Sequence, residues 1–350
     1  MENTGNTESK DNKDKKEKKD IVKRKPPVLF KKTQAIIAEI EKDLDGDFLT
    51  YWISDNGSLA QEDVIAFHKL ISKTKKAKRL HLFIKSDGGS GKGALRIIHL
   101  LRNYYEEIIA LVPLDCASAA TMLALGADTI MMGPLAYLSA IDTSITHELS
   151  PIDEKYNDKV SVSQNELDRV LKLWEQKKQP KDSNPFGLLY DFIHPLVFGA
   201  VDRASSLSIK LTKEILSYHM KDEEKSEKIS THLNSDYPSH SYPITYKEAQ
   251  VAGLNVLNME PELNERLLTL NELYSEMAQK AHTDFDESNY HDNEIIKLIE
   301  IKGEQIFYQM EKDWYYRSDE RRYIPMNDSS SWRRNTLVGA EIVTTKFHTR

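Results

Sequence analysis

A strand-like run, Leu80-His81-Leu82-Phe83-Ile84, leads into Ser86-Asp87-Gly88-Gly89-Ser90-Gly91-Lys92-Gly93. Consecutive glycines reach backbone conformations that aim N–H groups outward. Donors fixed at the carboxyl end of a strand can receive the negative charge of a tetrahedral oxyanion, usually a large contribution in acyl transfer. Gly89 is the donor selected here, with Gly88 in support; the competing reading is a plain tight turn. Further on, Pro113-Leu114-Asp115-Cys116-Ala117-Ser118-Ala119-Ala120-Thr121-Met122 joins the next strand to a helix through small residues. Ser118 lies between alanines at the helix's positive end, where developing negative charge is favoured, and the Ala119 amide is a natural second donor. A hydroxyl beside two converging amides is the minimum set for nucleophilic acyl chemistry. Without the glycine loop the same serine would read as a helix N-cap.

The loop does not fit a nucleotide. A phosphate loop needs glycine five positions before its Gly-Lys pair and Ser or Thr after it, where this chain has Ser86 and Gly93. In the dinucleotide fingerprint Gly89 and Gly91 would be followed by Ala94, and no ribose-binding acid follows at a suitable distance.

The surrounding elements explain how such groups would be positioned. Helical spacing of Ile36, Ile37, Ile40 and Leu44 precedes a strand over 48–53, and Val64, Phe67 and Ile71 mark a second helix. After the glycine loop come a helix carrying Ile97, Ile98, Leu101 and Tyr105, a strand over 108–112, a helix over about 119–126 and a strand over 129–132. Alternation of this kind implies a mainly parallel sheet covered by helices, with its active site at the carboxyl ends of the strands. Beyond Gly133 the pattern is helical: a capping box of Ser163 and Glu166 opens a helix predicted to bury Leu167, Val170, Leu171 and Trp174. A second helix is expected over about 203–219, with Ala204, Leu207, Leu211 and Ile215 on one stripe. Residues 221–241 read as a polar return segment leading to a second box at Thr245 and Glu248, and that short helix stops at Gly253. Pro261 opens a helix with Leu263, Leu267, Leu270, Tyr274 and Met277 on one stripe, expected to face the core or else an oligomer seam. Residues 295–301 and 305–314 read as strands around Gly303 in a small β-rich C-terminal appendage.

The chain has 350 residues, a net charge of −7 and 39% apolar residues, the profile of a globular protein rather than one that coats nucleic acid. Its single cysteine, Cys116, excludes a disulfide framework and a multi-thiolate zinc site. The histidines lack ligand spacing, so neither metal nor organic cofactor is expected. No apolar run reaches the roughly 18 residues of a membrane span, and the N-terminus lacks the apolar centre of a secretion signal. These features point to the cytoplasm. Residues 1–27 are nearly all polar and charged and are expected to form a disordered tail. The domain reading is therefore a tail over 1–27, a catalytic domain over 28–282 with a helical insertion at about 150–240, and a β-rich extension over 283–350.

The ordered motifs also carry a resemblance. Strand, Asp87-Gly88-Gly89, helix, strand, Ala117-Ser118-Ala119, helix, Ala127-Asp128-Thr129-Ile130-Met131-Met132-Gly133 and Leu138-Ser139-Ala140-Ile141-Asp142 resemble the serine dehydrogenase proteinase family, within the Clp/crotonase fold. His240-Ser241-Tyr242-Pro243-Ile244-Thr245 and Gly253-Leu254-Asn255-Val256 extend the likeness over about residues 33 to 257. The resemblance implies a spiral of β-β-α units with a helical arm, homo-oligomeric assembly and a peptide or protein substrate. It also implies a Ser, Asp, His triad: Ser118 as nucleophile, His240 as base and Asp142 as its orienting acid. Two related arrangements stay open: His147 with Asp168 or Asp202, and a lysine base, Lys155 or Lys159. The chain departs from the family pattern at Asp87, Ala120, Ser139, Ala140 and Thr143. Asp87 would oppose an oxyanion if its side chain pointed inward. Accordingly, a serine peptidase acting through an acyl-enzyme on Ser118 is the expected function. A catalytically silent scaffold and a crotonase-type acyl-CoA enzyme are the alternatives.

Overall fold

A computed structural model describes residues 21–72, 77–153, 158–176, 184–339 and 341–349. Residues 1–20 of the expected tail lie outside the described residues, as does Lys155. Of the tail's remainder, Pro26 is buried and Lys23 pairs with Asp313 at 2.8 Å.

The first half alternates helix and strand as its periodicity requires: α1 (Phe30–Asp43), β1 (Asp47–Ile53), α2 (Asp63–Ile71), β2 (Ala77–Lys85), α3 (Gly91–Arg102), β3 (Tyr105–Val112), α4 (Ala119–Leu125) and β4 (Thr129–Met132). Then follow α5 (Gln164–Glu175), α6 (Pro195–Leu216), α7 (Glu223–Ser235), α8 (Tyr246–Val251), β5 (Val256–Asn258) and α9 (Pro261–Met277). The chain ends in β6 (Ala281–Asp284), β7 (Asn289–Ile301), β8 (Glu304–Arg317), β9 (Arg322–Asp328), β10 (Ser331–Val338) and β11 (Glu341–Phe347). Strands β5, β4, β3, β2 and β1 are neighbours in that order and all parallel. On the other side of β1 the sheet turns antiparallel: β7 pairs with it, Leu49 opposite Ile301, and β8, β10 and β11 follow. The C-terminal strands thus extend the main sheet.

Because strand side chains alternate between faces, the sheet has two cores. Tyr51, Ile53, Leu82 and Ile84 pack with residues of α2, α3 and α4 on one face. Phe48, Trp52 and Phe83 pack on the other with Ile37 and Ile40 of α1 and Leu267, Leu270 and Tyr274 of α9. The α9 stripe is therefore core. Burying an aliphatic or aromatic side chain of this size stabilises by about 1.5–3 kcal/mol. A smaller cluster of Val162, Leu167, Val197 and Val201 holds the helical insertion together.

Four expectations about the helices change. The capping box of Ser163 and Glu166 forms in both directions, but α5 buries Leu167 alone: Val170 is exposed and Leu171 and Trp174 are half-buried. The second helix starts earlier, at Pro195, and its buried stripe runs through Val197, Val201, Ser208 and Ile215, with Leu207 exposed. The polar segment after Lys221 contains a full helix, α7, capped by Asp222 and anchored by only two buried apolar residues, Ile229 and Leu233. Thr245 makes no side-chain cap, and its expected partner Glu248 instead accepts from the Tyr237 hydroxyl at 3.4 Å.

Candidate functional site

The carboxyl ends of β2 and β3 carry the two loops singled out by sequence. After β2, Ser86 forms a parallel bridge with Cys116: its amide donates to the Asp115 carbonyl at 3.1 Å and the Ala117 amide donates to the Ser86 carbonyl at 2.9 Å. This bridge sets the glycine loop beside the serine. Gly88 and Gly89 have φ of 110° and 139°, in the region that favours glycine. A methyl group on Gly88 would stand 2.7 Å from the Ser118 Cβ, and one on Gly89 would stand 2.4 Å from the Leu59 carbonyl oxygen. Both glycines are thus required by close approach as well as by φ. The Leu59 amide donates to the Gly88 carbonyl at 2.8 Å and the Ser90 amide to the Leu59 carbonyl at 2.8 Å, which pins the loop and leaves the Gly89 amide without a backbone acceptor among the described residues.

Ser118 occupies the N-cap position of α4 but does not cap it: its side chain makes no cap hydrogen bond, and its φ and ψ are 53° and −118°. A non-glycine residue at positive φ is strained, and such residues collect where the geometry of one side chain matters. A sharp strand-to-helix turn of this kind lifts the serine Oγ into open space. Ser118 and Ala119 line a cavity of about 330 Å³ with Gly89, Ser90 and Gly91; its apolar wall is Met122, Ile141, Ala204, Leu207 and Leu211. Asp87 does not line this cavity. It is exposed, and its carboxyl lies above the usual range through partial burial and the nearby Asp115, offset by Lys85.

Asp142 and His240 are 98 positions apart and meet: the imidazole Nδ1 lies 2.6 Å from the Asp142 Oδ1. An antiparallel bridge between Leu138 and Ile244 brings them together. Counting four residues forward from Leu138 and four back from Ile244 reaches Asp142 and His240, so the two chains carry the pair into register. Asp142 is buried, and its second oxygen accepts from Asn165 Nδ2 at 3.1 Å; the same amide group donates to the Asn234 carbonyl at 2.9 Å. The hydrogen bond to Asp142 holds the His240 imidazolium above its usual pKa, against partial burial. With Nδ1 donating to the carboxylate, Nε2 is left as the proton acceptor.

The structure therefore forms two half-sites. Gly88, Gly89, Ser118 and Ala119 come together, and so do Asp142 and His240; Ser118 and His240 make no hydrogen bond with each other. Along the extended segment after Ala140, Ile141 and Thr143 face the Ser118 cavity, whereas Asp142 and Ser144 line a neighbouring cavity of about 320 Å³ that holds His240. The other described candidates, the bases His147 and Lys159 and the acids Asp168 and Asp202, line neither cavity. His147 accepts from the Leu149 amide in a local turn, Asp168 accepts from Gln164, and Asp202 and Lys159 are exposed.

Sequence reasoning missed Asn165, whose side chain braces Asp142, and the buried Thr121 and Ser139 hydroxyls behind Ser118. Asn165 sits inside the capped first turn of α5, and nothing in the local sequence discloses a distant acceptor.

Gly88→Ala tests the close approach directly. It places a Cβ against Ser118 and demands a φ that alanine resists, so a loss of about 1–3 kcal/mol is expected, measured as a lower midpoint in thermal or urea unfolding.

The chain is 27% identical over 222 residues to an uncharacterised protein, MJ0137, of Methanocaldococcus jannaschii, covering 63% of this chain and 68% of that one. Among solved structures it is similar to the 1510-N membrane-bound stomatin-specific protease, in one mutant form at 14% identity, TM-score 0.36, covering 64% of this chain and 82% of that one. Another mutant of that protease, in complex with a substrate peptide, matches at 13% identity and TM-score 0.24, covering 61% and 92%. The sequence profile of the ClpP-like SDH-type serine proteinases matches residues 12–296. With that match across most of its length, the chain belongs to the ClpP-like SDH-type serine proteinases.

Proposed function

We propose that this protein is a serine peptidase in which Ser118 attacks the scissile carbonyl of a peptide or protein substrate. The observation that carries this reading is the strained, uncapped Ser118 opening into one cavity with the Gly89 and Ala119 amides. In the reaction the Ser118 Oγ–C bond forms as its proton passes to His240 Nε2. The carbonyl oxygen becomes an oxyanion held by the two amides, and Asp142 stabilises the imidazolium. His240 then gives that proton to the departing amine as the C–N bond breaks, and water hydrolyses the acyl-enzyme by the same route. The two half-sites must close on substrate, as catalytic hydrogen bonds often tighten only in the Michaelis complex. The Met122, Ile141, Leu207 and Leu211 wall favours an apolar substrate side chain next to the bond cut.

The reading includes a cytoplasmic homo-oligomer. Support for assembly is the run of exposed apolar side chains on the helical insertion, among them Val170, Leu173, Phe192 and Leu196. No helix among the described residues is long and apolar enough to cross a membrane.

A fluorophosphonate probe, followed by peptide mapping, is expected to add one phosphonyl group on Ser118. No labelling, with the fold intact, would favour the silent scaffold. Binding of a CoA thioester without labelling would favour the crotonase-type reading.

The base must be neutral to accept a proton, while Asp142 favours the charged imidazole. Hydrolysis is therefore expected to rise with pH around a midpoint above the ordinary histidine value of about 6.5, and Asp142→Asn should move that midpoint down. Stability runs the other way: the His240–Asp142 pair stabilises fully below about pH 6.5, and that contribution is lost as pH rises through the raised folded value. A pH profile of kcat/KM for both proteins checks the shift.

A further inference from the structure

We propose that Ser139, braced by Thr121, is the positioning residue that locks Ser118 in its reactive backbone conformation; this rests on the reading of Ser118 as nucleophile. The Ser118 amide donates to the Ser139 Oγ at 2.7 Å. The Ser139 hydroxyl spends its one proton on the Ala140 carbonyl at 3.0 Å, so a lone pair necessarily faces Ser118. The Ser139 amide donates to the Thr121 Oγ1 at 3.0 Å, and that hydroxyl donates in turn to the Cys116 carbonyl at 2.8 Å. Both side chains are sealed from solvent, Thr121 at 0% and Ser139 at 1% exposure, so water does not stand in for either hydroxyl. The chain of bonds starts on the residue two before Ser118 and ends on its own N–H, enclosing the turn.

Strain at φ 53° persists only where surrounding structure over-determines it. On one side of the turn the Ala117 amide is fixed to the Ser86 carbonyl. On the other, rotating the peptide before Ser118 toward a relaxed conformation would strip its partly buried N–H of the Ser139 acceptor. Ser139 thus opposes the relaxation that would turn Oγ out of the cavity. Its bond also engages the Ser118 amide, which leaves the Gly89 and Ala119 amides as the oxyanion donors. Ser139 touches no substrate and acts through Ser118.

The test combines labelling with amide exchange. Ser139→Ala is expected to slow fluorophosphonate labelling of Ser118 by about ten- to a hundredfold, the scale of a small misplacement of a reacting group, and Ser139→Thr to restore most of the rate. Equal labelling rates for wild type and Ser139→Ala would overturn the proposal, as would a slowed Ser139→Thr with wild-type unfolding midpoint. Independently of activity, NMR exchange in the wild-type protein should show the Ser118 amide as protected as the helical amides of α4. Exchange at the rate of an exposed loop overturns the proposal even in a labelled enzyme. Should Ser139→Ala not fold, Thr121→Val is expected to weaken Ser118 protection, and unchanged protection counts against the lock. An unlabelled wild type with a protected Ser118 amide sinks the nucleophile reading while leaving the lock in place.

Discussion

Ser118→Ala is expected to lower peptide hydrolysis by at least about a thousandfold, leaving only the catalysis that binding and oxyanion donors supply without a nucleophile. The unfolding midpoint should change little, because the Ser118 side chain caps nothing. Removing the hydroxyl while keeping its Cβ preserves the contact with Gly88, so a loss of activity cannot be assigned to a collapsed turn. His240→Ala should cost a similar factor, and the double variant should be no slower than the worse single one, since nucleophile and base act as a unit. Losses that multiplied in the double variant would mean that the two residues act independently, and would remove His240 as the base for Ser118. Initial rates on a quenched fluorescent peptide, beside thermal melts of each variant, provide the comparison.

The second large effect falls on stability, far from the serine. Asp63, 1% exposed, receives the Tyr51 hydroxyl at 2.5 Å, the Ala60 amide at 2.8 Å and the Lys297 ammonium at 2.9 Å and 3.0 Å. Lys297 lies on β7, so this ion pair joins α2 to the antiparallel half of the sheet. Asp63→Ala strands a buried ammonium, a phenol and an amide at once, for an expected loss of about 3–5 kcal/mol. The variant with Lys297→Met and Asp63→Leu removes both charges and should recover a large part of that loss, because desolvating the pair offsets most of its attraction. Urea unfolding would show both, and a near-normal midpoint for Asp63→Ala would refute the argument.

Much of the site's chemistry was readable because it is local. Gly88-Gly89 after a strand and Ser118 between alanines at a helix start are patterns of neighbouring residues, and backbone sterics alone restrict where such a run can go. The same holds for the Ser163–Glu166 box, whose two bonds form within one helical turn. Thr245 and Glu248 share that spacing yet form no cap, and Glu248 instead accepts from the hydroxyl of Tyr237, 11 residues upstream. The apolar spacing of α5 foretold a stripe but not a cover for it: Val170 is exposed and Leu171 and Trp174 are only half-buried. Helix α7 escaped notice for the converse reason: only Ile229 and Leu233 anchor it against the core.

The sequence by itself determined the α/β alternation, the placing of a glycine loop and a serine at adjacent strand ends, and, through family resemblance, the candidacy of Asp142 and His240. Tertiary structure decided which of these groups meet. The Leu138–Ile244 bridge brings His240 onto Asp142, Ser139 comes up behind Ser118, and β7 closes on β1. Periodicity and turn preference act between near neighbours along the chain, whereas these contacts depend on strand register and close packing, which are fixed only when the whole sheet has formed.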